Sequence, residues 1–474
     1  MTRTHFIGLG LAALLGACTL APRYRAPTTP TVASYKESGE WMPAAPADTQ
    51  SRGAWWEAFG DSKLNELQQA LRSGNQDLLA AVARYAEARA ISRRAFSDIF
   101  PSVDAGGSAS RARTSANAPR SGGVSTIGNE YSASLDFAWE IDLFGRLRSA
   151  SHAARDRAQA RAADLAAVDL ALRAELATDY FSLRGADATL RLLEDSVKAF
   201  DHALELTTNR YNGGIASATD VDQAETQRQN ARAQLAAVQL QRAQLEHAIA
   251  VLLGQPPSNF SLESADFVGE PPPIDTGLPS TLLERRPDIA SAERAVAAAN
   301  AEIGVARGAW FPVFALGGVG GYEATATQVW FDAPSRFWSA GPSAALPLLD
   351  AGARSGVSHQ ARAAYDEAVA NYRQAALTAY REVEDNLAAL HHLAEELKAD
   401  EAAAASARRS TYHADKRYAA GVADYLEVTS TQTSALQAER SALDARVRRM
   451  IAAVGLVRAL GGGWTKAQLD QPVL

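Results

Sequence analysis

Residues 130–146 read EYSASLDFAWEIDLFGR, and this stretch decides the fold. Tyr131, Ala133, Leu135, Phe137, Trp139 and Ile141 alternate with Ser132, Ser134, Asp136, Ala138 and Glu140. A period of two predicts a strand with one apolar and one mainly polar face. Asp142-Leu143-Phe144-Gly145-Arg146 ends the alternation, and from about Arg146 to Thr208 the chain is dense in the strong helix formers Ala, Leu, Gln, Glu and Arg. Roughly 60 helical residues at 1.5 Å each make a helix on the order of 90 Å long. That is far beyond the globular norm and favours a coiled coil or a helical tube.

The same arrangement occurs twice. A strand pair over Ser102–Ser110 and Glu130–Ile141 is matched by a Gly-rich strand opened by Phe311-Pro312 and running through Tyr322, paired with Phe337–Leu349. Between the first two strands, Arg111–Gly128 reads as irregular, and a loop with Trp330 and Phe331 separates the second two. Arg210-Tyr211-Asn212-Gly213-Gly214 and Arg417-Tyr418-Ala419-Ala420-Gly421 then interrupt long helices at an offset of about 207 residues. Further helices are expected over Asp61 to about Asp98, Ala218–Leu253, Pro279–Gly308, Ala353–Arg417 and Ala423–Leu460. Each chain therefore owns only four strands. Four strands cannot close a barrel, and open sheet edges are not tolerated in lipid, so several chains must share one barrel. Three chains would supply twelve strands, a number that encloses a pore.

The N-terminus carries an address. Met1-Thr2-Arg3-Thr4-His5, the apolar run Phe6–Leu15 and then Leu15-Gly16-Ala17-Cys18 form a signal peptide over 1–17. Cys18 is the single cysteine of the 474 residues, so no disulfide can form within one chain. The pattern resembles a bacterial lipoprotein processing site, which implies an S-diacylglycerol and an N-acyl chain on Cys18; the plainer reading is an ordinary signal peptide with an incidental cysteine. Residues 18–50, with Pro22, Pro27, Pro30, Pro43 and Pro46, read as an extended linker. The first repeat is expected over 51–278, the second over 279–460 and a tail over 461–474. The net charge of −7, with basic residues spread along the chain, argues against a nucleic-acid partner. Beyond the signal no apolar run is long enough for a transmembrane helix, so membrane entry requires a closed β-barrel.

Chemistry-bearing motifs are not evident. Among eight histidines, His391-His392 lies in an expected helix without a convincing carboxylate or thiol spacing, so no metal site and no cofactor beyond the lipid is expected. Neither a phosphate-binding loop nor a nucleophile elbow is present, and no catalytic residues or enzyme activity are expected.

Ala54-Trp55-Trp56-Glu57-Ala58-Phe59-Gly60-Asp61, Leu143-Phe144-Gly145-Arg146, Leu283-Glu284-Arg285-Arg286-Pro287-Asp288-Ile289 and Ile303-Gly304-Val305-Ala306-Arg307 with Phe311-Pro312 occur in one order along nearly the whole mature chain. This set resembles the TolC-like outer membrane factors, in particular the NodT family of lipoproteins of tripartite efflux systems. The resemblance implies a mixed α/β membrane protein: a trimeric twelve-stranded outer-membrane β-barrel, four strands per chain, continuous with a long periplasmic α-helical barrel. A belt would form from about 51–75, about 254–285 and the C-terminal region. The implied function is a passive outer-membrane channel for drugs or other toxic small molecules, lipid-anchored in a Gram-negative outer membrane. Its implied partners are a periplasmic membrane-fusion adaptor and an inner-membrane, proton-driven export pump. A lipid-anchored adaptor, a structural rod, or an exit duct for metal efflux or protein secretion are the rival readings.

The resemblance also places a periplasmic gate at the second hairpin, on Asp424, Glu427, Arg417, Tyr418 and Tyr425. Asp424 and Glu427, three apart, can share one helical face, and in a trimer either would form a ring of three carboxylates attracting cations. Ordinary solvated helix charges remain the alternative for both. Ala423 stands where one branch of the family has a basic residue and Ser430 where a second acid can occur, so a lock built on that basic residue is in doubt. Gly213, Gly214, Gly421 and Val422 are expected at the hairpin turns and in adaptor contact.

Overall fold

The alternation at 131–141 folds as a strand. In the computed structural model, which describes residues 20–29, 34–37, 53–117, 122–267, 269–274 and 285–464, four strands form one antiparallel sheet. They are β1 (Ser102–Arg113), β2 (Ile127–Ile141), β3 (Val313–Ala324) and β4 (Arg336–Ala345), hydrogen-bonded in that order. Cys18, most of the linker and the tail from 465 lie outside the described residues.

Residues directly opposite in an antiparallel pair project from the same face, so the register sorts the side chains. One face carries Val103, Phe137, Gly318 and Ala340 in one row, Ala105, Leu135, Gly320 and Trp338 in the next, and Trp139, Leu316 and Pro342 in another. The opposite face carries Asp104, Asp136, Val319 and Ser339, and Ser108, Ser132 and Glu323. An apolar face thus crosses all four strands, and a mainly polar face backs it. Among the described residues nothing covers the apolar face: Val103, Leu135 and Trp338 are exposed. β1 and β4 are the sheet's two edges. Pro342, which has no N–H to donate, sits on such an edge strand, where it is tolerated.

The chain divides into two units: residues to 28, 84–161 and 291–372 form one, and 29–83, 162–290 and 373–474 the other. The first contains the sheet. It also holds the N-terminal strap against α5 (Pro287–Gly308), where Tyr24 donates to Glu293 Oε1 at 2.6 Å and Asn300 Nδ2 donates to the Pro22 carbonyl at 2.8 Å. The second unit is helical. Buried Leu172, Leu176, Leu183 and Leu193 of α3 (Arg146–Asn212), Ile249 of α4 (Ala218–Leu252), Val383, Leu387 and Leu390 of α6 (Ala353–Ala419) and Val454 and Leu456 of α7 (Tyr425–Ala459) belong to its core.

The duplication is visible in the element lengths. α3 and α6 each have 67 residues, α4 and α7 each 35, and β1 and β3 each 12. α2 (Gln76–Ser97) and α5 each have 22.

Three boundaries differ from expectation. The single helix expected over 61–98 is two, α1 (Ser62–Gly74) and α2, because Asn75 turns extended between them. Its Oδ1 accepts from Leu78 N–H at 2.9 Å and its Nδ2 donates to the Leu252 carbonyl at 2.8 Å, so the break anchors α2 to the end of α4. The sheet reaches into the stretch read as irregular: Arg111, Ala112 and Arg113 pair with Asn129, Gly128 and Ile127. β4 ends at Ala345 rather than Leu349, since Pro347 cannot extend the ladder, and Leu348 and Leu349 are exposed. Residues 275–284, where α5 was expected to begin, lie outside the described residues.

Candidate functional site: paired hairpin tips and a two-faced sheet

Both long hairpins turn in the same way. After α3, Gly214 N–H bonds to Tyr211 O at 2.9 Å and Ile215 N–H to Arg210 O at 2.8 Å; after α6, Gly421 bonds to Tyr418 at 2.9 Å and Val422 to Arg417 at 3.0 Å. This is the Schellman closure, which requires a left-handed residue, and Gly214 and Gly421 each have φ of 74°. Gly213, Gly214, Gly421 and Val422 therefore all lie at the turns. Ile215 and Val422, 72% and 65% exposed, are apolar side chains presented to solvent at equivalent points.

The helices that follow are capped by side chains. Ser217 and Asp220 form a reciprocal capping box at the start of α4. At the equivalent place Asp424 Oδ1 accepts from Glu427 N–H at 3.0 Å. Glu427 is one methylene longer than Asp220 and accepts from Arg417 Nη1 at 2.8 Å. Asp424 is exposed and Glu427 partly so. The two carboxylates are thus a helix cap and an ion-pair partner within one hairpin.

Tyr418 and Tyr425 lie inward. They are 7% and 2% exposed, their ring centroids 5.4 Å apart, within a cluster that includes Ala224, Ala414 and Val428. Burial, with Tyr418, Asp415 and Asp220 nearby, pushes the Tyr425 hydroxyl up to about 12. Asp415 is also raised by burial, opposed by a hydrogen bond from Gln432 at 3.3 Å.

Arg210 had no role in the sequence reading. Its Nη1 donates to the Tyr418 carbonyl at 2.7 Å, and its guanidinium lies 4.4 Å from the centre of the Tyr418 ring. Asp220, short and committed to its capping box, leaves Arg210 free to cross to the second hairpin, whereas Glu427 retains Arg417 in its own. Gln227 Nε2 to Thr433 Oγ1 at 2.8 Å and Arg440 Nη1 to Gln234 Oε1 at 2.7 Å continue the cross-links along α4 and α7. The available signal was the repeat itself, since Arg210 is the counterpart of Arg417.

The strands are bordered by aromatic rings at both ends. Phe144 stacks on Phe311 with centroids 4.6 Å apart, and Trp139 donates to the Ile99 carbonyl at 3.0 Å. At the other end Trp330 stacks on Phe331 at 5.0 Å and packs against Tyr131 at 5.5 Å, with Tyr322 5.4 Å from Phe331. From Phe314 to Tyr322 on β3 is about 26 Å at 3.3 Å per residue. Tilted by the roughly 35–45° usual in membrane barrels, that length spans roughly 19–22 Å of the membrane normal, most of the apolar band of about 25 Å between aromatic girdles.

The family model described as "Outer membrane efflux protein" matches residues 67–255 and 278–462, one segment for each structural repeat. The chain belongs to the outer membrane efflux protein family. This efflux protein is 34% identical over 459 residues to the antibiotic efflux pump outer membrane protein ArpC of Pseudomonas putida, covering 96% of this chain and 94% of the relative. It is 34% identical over 464 residues to the outer membrane protein OprJ of Pseudomonas aeruginosa, covering 97% and 95%. Among solved structures, the outer-membrane channel OprN superposes with a TM-score of 0.88 at 31% identity, over 94% of this chain and 100% of that one. The open-state MtrE outer membrane channel of Neisseria gonorrhoeae superposes at 0.82 and 26% identity, over 95% and 99%. The efflux-protein fold, with a four-stranded open sheet and duplicated long helices in each chain, is therefore shared with outer-membrane channels.

Proposed function

We propose that this protein is the outer-membrane channel of a tripartite efflux system, passively passing drugs or other toxic small molecules to the cell exterior. The observation that carries this reading is the uncovered apolar face across all four strands, backed by a polar face and ending in open edges. Such a sheet is satisfied in lipid only when other copies complete the barrel, and three copies supply twelve strands. The names of relatives, antibiotic efflux for ArpC and toluene efflux for TtgC, favour small molecules. A periplasmic adaptor and an inner-membrane, proton-driven pump complete the path, with Gly213, Gly214, Gly421 and Val422 at the adaptor contact and Ile215 beside them.

Lipidation of Cys18 is part of the proposal. Arg307, one residue from the end of α5, donates to the Leu20 carbonyl at 3.3 Å, and Gly308 is followed within five residues by β3. Cys18 is two residues before Leu20, which supports acyl chains reaching the same leaflet as the strand ends. More than one chain makes a stable anchor.

The gate is proposed at the second hairpin, with Asp424 and Glu427 setting charge, Arg417 holding Glu427, and Tyr418 and Tyr425 packing the tip shut. The test is single-channel conductance of the purified oligomer in a planar bilayer, with an Asp424→Ala, Glu427→Ala double variant beside it. Small, cation-preferring conductance that grows or loses selectivity in the variant is the expected result. Correctly assembled protein that forms no pore overturns the channel; a pore indifferent to the substitutions overturns the gate. Cys18→Ser should leave the mature protein unacylated by mass spectrometry.

A further inference from the structure

We propose that one turn of α6 binds a divalent transition-metal cation between His391, His392 and Glu395. The inference is independent of the channel reading, since it requires only that α6 be folded.

At 100° per residue, Glu395 stands about 40° around the helix from His391 and about 60° from His392, between the two. The carboxylate therefore rises between the two imidazoles. Glu395 Oε2 lies 3.4 Å from His392 Nδ1, Glu395 Oε1 lies 3.9 Å from His391 Nε2, and one donor atom from each residue falls within 4.8 Å of the others. A tetrahedral ion with bonds of about 2.0–2.2 Å holds its donors roughly 3.3–3.6 Å apart. The donor set is thus near coordination distance, and the remaining closure needs only side-chain rotation. All three side chains are exposed and free to make it.

The scaffold beneath them is fixed. Val383, Leu387, Leu390, Leu393 and Leu397 on the opposite face of α6 are buried. The neighbouring acid Glu396 is engaged by Arg448, leaving Glu395 as the carboxylate available to both rings. Two imidazole nitrogens and one carboxylate oxygen select zinc, nickel or copper over magnesium or calcium, which prefer all-oxygen shells. With three protein ligands, a fourth position stays open to water or to a donor from outside the chain. Because His391-His392 precede Glu395 by four and three residues, coordination also staples that helical turn.

The test uses the intact detergent-purified oligomer, stripped with EDTA and titrated calorimetrically with zinc chloride, with magnesium chloride as comparison. One zinc per chain at micromolar affinity is expected, weakened at least about tenfold by His392→Ala and by Glu395→Ala. His413→Ala, another exposed histidine of α6, should leave it unchanged. Cobalt(II) added instead should give a visible d–d absorption band that these two site variants lose. Circular dichroism establishes that the variants remain folded, as substitutions at exposed helix positions should. Absence of saturable zinc binding overturns the proposal, as does binding that survives both site substitutions in folded protein.

Discussion

Arg210 of the first repeat grips Tyr418 of the second twice, through a 2.7 Å hydrogen bond to its carbonyl and a guanidinium 4.4 Å from its ring centre. The hairpin proposed as the gate is thereby tied to the hairpin of the first repeat. A charged hydrogen bond and a half-desolvated cation–π contact together contribute about 2 kcal/mol. Arg210→Ala is expected to raise the population of open channels roughly thirtyfold, the factor that 2 kcal/mol represents. Arg210→Lys, which keeps the charge but not the planar fork, should fall between. Single-channel opening frequency measures both, and unchanged gating in Arg210→Ala would show that the tie does not resist opening.

Asp424 has two separable roles, as the cap of α7 and as an exposed charge. Asparagine caps a helix as well as aspartate, whereas alanine loses about 1 kcal/mol. Asp424→Asn should therefore leave thermal unfolding unchanged while reducing cation preference, and Asp424→Ala should lower both. Reversal potentials in a salt gradient, with melting curves for the same samples, distinguish the roles; selectivity retained in Asp424→Asn would assign it to Glu427 or elsewhere.

Asp179 on α3 predicts a pH dependence. Burial, reinforced by Glu175, raises its carboxyl from the ordinary 3.8 to about 6. The folded state therefore holds this proton more tightly than the unfolded chain, so stability falls as pH rises from about 4 to about 6 and stays lower above. Asp179→Asn should raise the unfolding temperature at pH 7.5 and leave it nearly unchanged at pH 4. An equal effect at both would attribute the change to something other than titration.

Asp187, fully buried, joins three partners: Arg184 Nη1 at 2.9 Å, Arg242 Nε at 2.7 Å and Ala265 N–H at 3.3 Å. Arg184 also donates to the Glu263 carbonyl at 2.7 Å, so the network pins the segment after α4 to the helices. Removing one member of a buried ion network leaves its partners uncompensated and costs about 3–5 kcal/mol. Asp187→Ala should destabilise by this amount and speed hydrogen exchange over residues 262–266, while exchange at the hairpin tips stays unchanged.

Gly304 faces the N-terminal strap so closely that an added Cβ would stand 2.6 Å from the Ala21 Cβ and 2.7 Å from Ser149 Oγ. Gly304→Val should expel residues 20–25 from α5 and open them to limited proteolysis. Protection equal to wild type would mean that the strap is held independently of this contact.

The repeat, the four strands and the long helices were legible because each is written in local order. Alternation at 131–141 and the doubled Arg-Tyr before a glycine turn are read within a few residues of chain. The helix break at Asn75 was only half legible: Gly74-Asn75 and the cap of Asn75 on the Leu78 N–H are local, but the bond of Asn75 Nδ2 to the Leu252 carbonyl comes from 177 positions away in the chain. Asp424 and Glu427 were singled out as charges, but their engagement as cap and ion-pair partner depends on rotamers that the tip geometry selects. The proximity of Glu395 to His391 and His392 was within reach of helical spacing; its freedom from Arg448 was not, since that arginine comes from another helix.

By itself the sequence carried the family, through motifs such as those at 54–61 and 283–289, and with it the duplicated plan and a strand count too small to close a barrel, because motifs, periodicity and turn residues are properties of short stretches. Only the tertiary structure decided which arginine crosses between hairpins and which stays at home. Arg210 and Arg417 occupy equivalent places in the repeat, and their separate fates follow from one methylene, the difference between Asp220 and Glu427, acting where two helices meet.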